Sequence, residues 1–107
     1  MRKRLPNRRA APLFDIIVED KSGNKYPVVL QTGEYKDGLV GEIFITVGNG
    51  GFVREVFNAI ALSVSIGLQH GISLKQFKHT FRLVNIEPDV MTPIFESLER
   101  TYPDQFL

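Results

Sequence analysis

Three short segments in the first half of the chain carry apolar and β-branched residues in the pattern typical of β-strands. They span residues 13–18, 26–31 and 40–47, and polar or glycine-containing turns separate them. In the third segment, apolar side chains at 43, 45 and 47 alternate with those at 42, 44 and 46, which predicts one buried face. Because the connections are short, the three strands are predicted to form an antiparallel meander.

The second half of the chain changes to a helical period. Apolar residues recur at three- and four-residue steps over 52–69 and predict one long helix, with further apolar residues off that stripe. Such a helix is expected to be buried on two sides, against the sheet and against either the C-terminal helices or another subunit. Gly71 is predicted to close it with a left-handed cap, and Ser73 to cap a short helix over 74–81. A last helix is predicted from 91 or 92 to 100. The predicted fold class is α+β, a three-stranded antiparallel meander followed by a long buried helix and two shorter helices.

Composition limits the class of protein. With 107 residues, 43% hydrophobic and 23% charged, the chain fits one domain. The absence of cysteine excludes a disulfide framework, a thiolate zinc site, an iron–sulfur cluster and a cysteine nucleophile. Polar residues interrupt the longest apolar run, around 56–68, which is shorter than the roughly 20 residues of a membrane span. No apolar stretch of a signal peptide follows the basic N-terminus. These features predict a soluble, cytoplasmic protein.

The net charge of +1 is unevenly distributed. Residues 1–12 are predicted to form a basic extended arm, since five of the thirteen basic residues lie there without an acid and Pro6 and Pro12 oppose helix. Residues 13–107 are predicted to form a single, mildly acidic α+β domain. The arm is either a phosphate-seeking segment, for nucleotide, nucleic acid or an acidic partner, or a solvated tail.

A glycine-rich loop at 48–51 joins the third strand to the long helix. Its backbone N–H groups could surround an anion at the positive end of the helix, and a tight turn that needs glycine for geometry alone is the alternative. The loop lacks the Lys-Ser/Thr ending of a P-loop and the GxGxxG spacing of a dinucleotide-binding fold. The candidate residues for binding nucleotide phosphate are Arg8, Arg9, Asn49, Gly50, Gly51, Arg54 and Arg82, and Tyr35 is the candidate stacking face for a base.

No side chains stand in a recognisable catalytic or metal-binding motif. His70 and His79 lack a second ligand three or four residues away. The acids near turns cannot be paired by spacing, and Ser63 and Ser65 lie within an apolar helix rather than at a nucleophile turn. The sequence therefore predicts no metal site, no catalytic residue and no enzymatic activity of the chain alone.

Four segments carry a family resemblance: RLPNRR at 4–9, QTGEYKDG at 31–38, GEIFI at 41–45 and NAIALSVSIGLQHGI at 58–72. In this order they resemble the C-terminal accessory domain, or TSCPD domain, of adenosylcobalamin-dependent ribonucleotide reductases. The arginine and Glu-Pro turn of 82–88 is similar to the end of that domain. The resemblance implies a role in deoxyribonucleotide metabolism. It also implies that radical chemistry and cobalamin belong to a separate barrel domain with cysteines, so no cofactor is expected on this chain and adenosylcobalamin only in a partner reductase.

The chain also departs from that family. It lacks the Thr-Ser-Cys-Pro-Asp motif and the cysteine-rich tail, and its glycine loop stands where the family usually has a charged residue. Two hypotheses follow. The chain is an accessory module that docks on a reductase large subunit through its arm and an exposed helix face. Alternatively, it is a homo-oligomeric nucleotide-binding sponge, for example a phage protein that sequesters a cyclic nucleotide or an ADP-ribose-like immune signal. Nucleic-acid binding by the arm ranks third, because the rest of the chain is acidic.

Overall fold

A computed structural model describes residues 1–48, 51–84 and 89–107. It confirms the predicted α+β fold class, in which an antiparallel sheet precedes the helices. The predicted segments agree with the observed elements to within a few residues at each end. The elements are β1 (Leu13–Glu19), β2 (Lys25–Glu34), β3 (Val40–Val47), α1 (Gly51–Gln69), α2 (Leu74–Arg82), α3 (Met91–Thr101) and a final 3₁₀ turn (Pro103–Phe106).

The three strands form a meander in the order β1-β2-β3, with both neighbouring pairs antiparallel. The register aligns Phe14 with Leu30 and Leu30 with Ile45, so that alternate side chains of all three strands share an inner face. The buried positions of β3 include 43, 45 and 47, as the alternation predicts. The register therefore follows from the hydrophobic pattern, because a slip of one residue would turn this set to the outer face.

The hydrophobic core lies between the inner face of the sheet and the three helices. Phe57 and Val64 of α1 are buried in it, and so are Ile94 and Leu98 of α3. Fully burying an aliphatic or aromatic side chain of this kind stabilises the fold by about 1.5 to 3 kcal/mol. The other buried core residues are Val18, Val28, Leu30, Val40, Ile43, Ile45, Val47, Ala61, Leu74, Val90, Met91, Phe95 and Tyr102.

Helix α1 runs beside β3, along the outer edge of the sheet, and its side chains bond to that edge. The Ser65 hydroxyl accepts a hydrogen bond from the Ile43 N–H at 2.9 Å. Gln69, one turn later, donates its side-chain amide to the Gly41 carbonyl at 3.0 Å. Val40 at the start of β3 donates its N–H to the Gln105 side chain at 2.8 Å. Helix α1 and the C-terminal turn thus supply partners that a fourth strand would otherwise provide.

Helix α1 extends beyond the apolar run of 56–68 that was predicted to be too short for a membrane span. The helix has 19 residues, and a window of it reaches a mean hydropathy of 1.4, so by length and composition it could cross a membrane. The apolar run is therefore longer than predicted. A single such helix is weak evidence for a span, because core helices of globular domains meet the same criterion. Only 22% of that window is buried, and Ser65 and Gln69 of α1 form hydrogen bonds with the backbone of β3.

The helix ends agree with the predicted caps. Gly71 follows α1 with a positive φ of 94°, the left-handed conformation that favours glycine. Ser73 caps α2 by accepting from the Gln76 N–H at 3.1 Å. Beyond α3, the Tyr102 hydroxyl donates to Glu34 at 2.6 Å and lies 2.8 Å from the Thr32 hydroxyl, which ties the C-terminus to β2.

Candidate functional site

The basic arm, residues 1–12, is bound to the body of the domain at several points. The Lys3 N–H donates to the Gln69 carbonyl at 2.6 Å, and the Arg2 guanidinium donates to the Gln69 side-chain oxygen at 2.6 Å. Farther along, the carbonyls of Ala10 and Pro12 accept from β2 at 2.9 and 3.1 Å and so continue the ladder of β1. The charge pattern left two alternatives for the arm, a phosphate-binding segment or a solvated tail. These contacts do not fit a freely solvated tail.

Two predicted nucleotide-binding residues take part in holding the arm. Arg9 forms an ion pair with Glu42 of β3 and also donates to the Pro6 carbonyl at 2.8 Å. Tyr35 donates its hydroxyl to the Lys3 carbonyl at 2.5 Å, and the Lys3 ammonium lies 4.5 Å from the ring centroid. Burial raises the pKa of the Tyr35 hydroxyl above its usual value. Both side chains therefore already have partners within the chain, which a nucleotide would have to displace.

Gly41 explains how the Tyr35 ring reaches this position. A Cβ on Gly41 would lie 2.5 Å from a ring carbon of Tyr35, so the ring lies directly against the β3 backbone. With Gly41 beneath it and Lys3 above it, less of the ring is exposed for a base than its place in a polar turn predicted. Stacking by Tyr35 remains a prediction.

The other predicted phosphate partners lie in different parts of the domain. Arg8 is exposed in the arm, Arg54 is exposed in the first turn of α1, and Arg82 is exposed at the end of α2. Gly51 begins α1 with a positive φ of 70°, as expected of a glycine that makes a tight turn. Asn49 and Gly50 lie outside the described residues. Within the described ranges, none of five surface cavities is lined by two of the predicted phosphate-binding residues.

A groove that the sequence analysis did not assign lies between β3 and α1 and has a volume of about 300 Å³. Its apolar lining includes Phe44, Leu62 and Ile66, which are 48%, 62% and 40% exposed. Arg2 of the arm and Glu42 of β3, which forms the ion pair with Arg9, stand at its polar rim. Leu62 and Ile66 are two of the apolar residues that lie off the main apolar stripe of α1. The sequence pattern therefore indicated a second apolar face on this helix, but it did not indicate what packs against that face. In the described chain, solvent covers it.

The outer face of the sheet continues this apolar surface. Leu13 and Ile17 of β1 are 66% and 65% exposed, and Leu13 lies across β2 from Phe44 in the strand register. Gln31 lies between them and is half-buried. No helix packs on this face within residues 1–48, 51–84 and 89–107. Exposed apolar patches on such a surface mark sites of protein or membrane association or ligand-binding grooves. We call the groove and this outer face together the open face.

A smaller cavity of about 190 Å³ lies between α2 and α3. Phe81 and Phe95 stack there with centroids 5.8 Å apart, and Arg82 and Glu96 stand at its rim. Lys78 is engaged by the Glu99 carboxylate at 2.9 Å. The cavity is too small for a nucleotide and has the character of a packing gap between two helices.

Titratable groups do not form a catalytic arrangement in the part of the chain that the structure describes. No group of three His, Asp or Glu side chains could hold a metal ion there. The largest shift belongs to Tyr102, where burial, and then the hydrogen bond to Glu34, raise the pKa to about 12. That pair joins the C-terminal turn to β2 and faces no large cavity, so it stabilises the fold rather than positions a substrate.

Comparison with known proteins places these features in a family. The TSCPD domain pattern matches residues 15–105. Over 88 residues, the chain is 39% identical to proteins named vitamin B12-dependent ribonucleotide reductase from Agrobacterium fabrum and Bradyrhizobium diazoefficiens, with 81% of this chain covered. A relative of the same name from Streptomyces clavuligerus is 29% identical over 93 residues, 86% of this chain. No solved structure matches the chain.

The matched segment is a small part of those relatives. It spans 6%, 7% and 9% of their lengths, respectively. The match covers both sides of the groove, since it includes β3 and α1 as well as most of the arm's contacts on the body. By this match over most of its length, the chain belongs to the TSCPD domain family.

Proposed function

We propose that the chain is a non-catalytic accessory domain that docks through its open face on the catalytic part of a vitamin B12-dependent ribonucleotide reductase. The observation that carries the proposal is the exposed apolar groove of Phe44, Leu62 and Ile66 beside the bare outer face of the sheet. In the named relatives a matching segment belongs to the same polypeptide as the reductase, at under a tenth of its length. A surface of this kind suits contact with the rest of such an enzyme.

The chemistry of the side chains supports a non-catalytic role. Ribonucleotide reduction in the family that the sequence resembles depends on cysteines, and this chain has none. Adenosylcobalamin is accordingly proposed to bind the partner reductase and not this chain. With a reductase as its partner, the chain is proposed to work in the cytoplasm, and α1 to serve as a core helix rather than a membrane span.

The charged rim of the groove requires polar groups on the partner protein. Arg2 and Glu42 flank the apolar lining with opposite charges, and Arg9 neutralises Glu42 from the arm side. An apolar anchor with polar neighbours is the usual composition of a protein interface. The arm is therefore proposed to contribute to docking through Arg2 at the rim of the groove, and the phosphate-binding role that its charge suggested stays a prediction.

The sponge hypothesis has less support from the geometry. A sponge needs basic and aromatic groups that converge on one ligand, and Arg8, Arg54 and Arg82 have no shared cavity in the described chain. Convergence would have to arise between subunits. Binding of ATP or ADP-ribose, measured by calorimetry and weakened by Arg54→Ala by about ten- to a hundredfold, would favour this alternative.

The docking proposal is tested with the Agrobacterium fabrum reductase from which the matching 88-residue segment has been deleted. We expect the full chain to bind this protein in an interferometry assay, and Phe44→Ser and Leu62→Ser each to weaken binding by at least about tenfold. Leu83→Ser is the matched control, because Leu83 is 77% exposed after α2, away from the groove. Absence of binding, or equal losses in all three variants, would overturn the proposal.

A further inference from the structure

The two edges of the sheet differ in their protection. The edge of β3 is covered by α1, through Ser65 and Gln69. β1 is the terminal strand on the other side, and no further element forms hydrogen bonds with its free edge in the described chain. The hydrogen-bonding pattern between β1 and β2 shows which backbone groups of β1 point away from the sheet. The Thr32 N–H donates to the Pro12 carbonyl, so even-numbered residues of β1 bond to β2. The N–H and C=O groups of residues 13, 15, 17 and 19 therefore point away from the sheet.

β1 has few of the features that keep strand edges from pairing. Such edges are usually short or bulged, or carry proline or charged side chains, lysine especially. β1 is a regular strand of seven residues with the sequence LFDIIVE, and its register with β2 is unbroken. Its two charged side chains, Asp15 and Glu19, project to the outer face, beside Leu13 and Ile17. An exposed strand of this composition is a template for another strand.

We propose that β1 pairs antiparallel with β1 of a second copy of the chain, about a two-fold axis at Ile16, to form one sheet with three strands from each copy. The acids of β1 favour this register. A centre at Asp15 would oppose two Asp15 side chains, and a centre at Ile17 would oppose Asp15 and Glu19. A centre at Ile16 instead places each acid opposite an apolar residue and uses the whole strand.

In this register, Ile17 lies opposite Asp15 of the partner subunit, and Leu13 lies opposite Glu19 of the partner subunit. Four directly opposed pairs of odd-numbered residues would exchange about eight backbone hydrogen bonds. The two-fold axis is perpendicular to the sheet, so the outer faces of both copies lie on the same side. Pairing at β1 thus leaves the groove between β3 and α1 open on each copy, and this inference stands apart from docking on a reductase.

The test measures self-association of the full chain by sedimentation equilibrium from about 1 µM to about 1 mM. Asp15→Pro removes an outward N–H that the ladder does not use, and Asp15→Thr is the matched control that keeps it. We expect a monomer–dimer equilibrium for the natural chain and for Asp15→Thr, and a loss of dimer of at least about tenfold for Asp15→Pro. A monomer throughout, or a dimer that Asp15→Pro does not weaken, would overturn the proposal.

A second variant tests the register and does not depend on the folding of a proline variant. Ile17→Lys places an ammonium opposite Asp15 of the partner subunit, twice in each dimer, so it should tighten association by about 2- to 30-fold.

Hydrogen exchange provides a further readout: the amides of Asp15 and Ile17 should become protected as the concentration rises, while that of Ile16 is protected throughout. Weakened association in Ile17→Lys, or amide protection that does not change with concentration, would contradict the register. If an added extended peptide protects those amides while the chain stays monomeric, strand addition by another protein is the correct reading and the dimer is wrong.

Discussion

The Ser65 hydroxyl bridges helix α1 and strand β3 through the backbone of Ile43, since it accepts the Ile43 N–H at 2.9 Å and lies 3.1 Å from the Ile43 carbonyl. It also lies 2.8 Å from the Ala61 carbonyl, one turn back in its own helix. A serine within a helix is usually turned back in this way. Here the same oxygen satisfies a backbone N–H at a buried part of the sheet edge.

We predict that Ser65→Ala lowers the free energy of unfolding by about 1 to 3 kcal/mol, because it leaves the Ile43 N–H without a partner. Ser63→Ala is the matched control, since the exposed Ser63 bonds only to the Ala59 carbonyl of its own helix. That variant should change stability by less than about 0.5 kcal/mol. Urea denaturation of both variants measures the difference, and equal effects would show that the bond to β3 contributes nothing.

Tyr102→Phe should destabilise the fold at neutral pH by about 1.5 to 3 kcal/mol, because it removes the donor to the Glu34 carboxylate. The effect depends on pH. The pKa of Tyr102 is raised from 10.0 to about 12 in the folded state, so the folded state holds this proton more tightly than the unfolded chain. The stabilisation is complete below about pH 10 and is lost as the pH rises through about 12.

The stability difference between the natural chain and Tyr102→Phe should therefore shrink over that range. Absorbance at 295 nm provides an independent check, since one of the three tyrosines should ionise only near pH 12. A stability difference that stays constant from pH 9 to pH 12 would contradict the assignment of the raised pKa to Tyr102.

Glu42→Gln should loosen the basic arm, because it removes the ion-pair partner of Arg9. Trypsin cleavage after Arg8 and Arg9 is expected to accelerate by up to about fivefold, since a partly exposed ion pair contributes at most about 1 kcal/mol. The gain should vanish at high salt. Glu55→Gln, in the exposed first turn of α1, is the control. If both variants are cleaved like the natural chain, Glu42 does not hold the arm.

Gly67→Ala should destabilise α1 packing although alanine is the better helix former. A Cβ at Gly67 would lie 2.5 Å from the tip of the Phe77 ring in α2. The overpacking cost of about 1 to 3 kcal/mol opposes a gain of about 1 kcal/mol in helix propensity. In a Phe77→Leu background the clash is reduced, so the same substitution should cost less there. A cost that does not depend on residue 77 would place the strain elsewhere.

The alternation in β3 and the three- and four-residue steps of α1 were sufficient to predict the elements, because each reflects burial along a single segment. The side-by-side placement of α1 and β3 was not predictable in this way. The Ser65 bond joins residues 22 apart, and nothing local to either segment distinguishes it from a serine bonded within the helix. Similarly, a cluster of arginines and lysines looks the same in a solvated tail as in an arm held by Gln69, Tyr35 and Glu42.

The candidate nucleotide site depended on residues far apart in the sequence. Arg54 and Arg82 were chosen for charge and position near helix ends, and charge alone does not determine convergence. The open face could be anticipated in part, because Leu62 and Ile66 lie off the buried stripe of α1. Which partner they meet cannot be obtained from one chain, since the pattern records that a surface is apolar and not what it faces.

The cover that α1 gives to β3 also limits how large an assembly the sheet can build. Fibrils that grow by strand addition need two unpaired sheet edges on every molecule, so that each molecule pairs with a neighbour on both sides. Because Ser65 and Gln69 bond to backbone groups of β3, the described part of the chain leaves one edge of the sheet open, at β1. Polymerisation through the sheet would therefore end at two molecules, and variants that detach α1 from β3 would be the ones at risk of forming fibres.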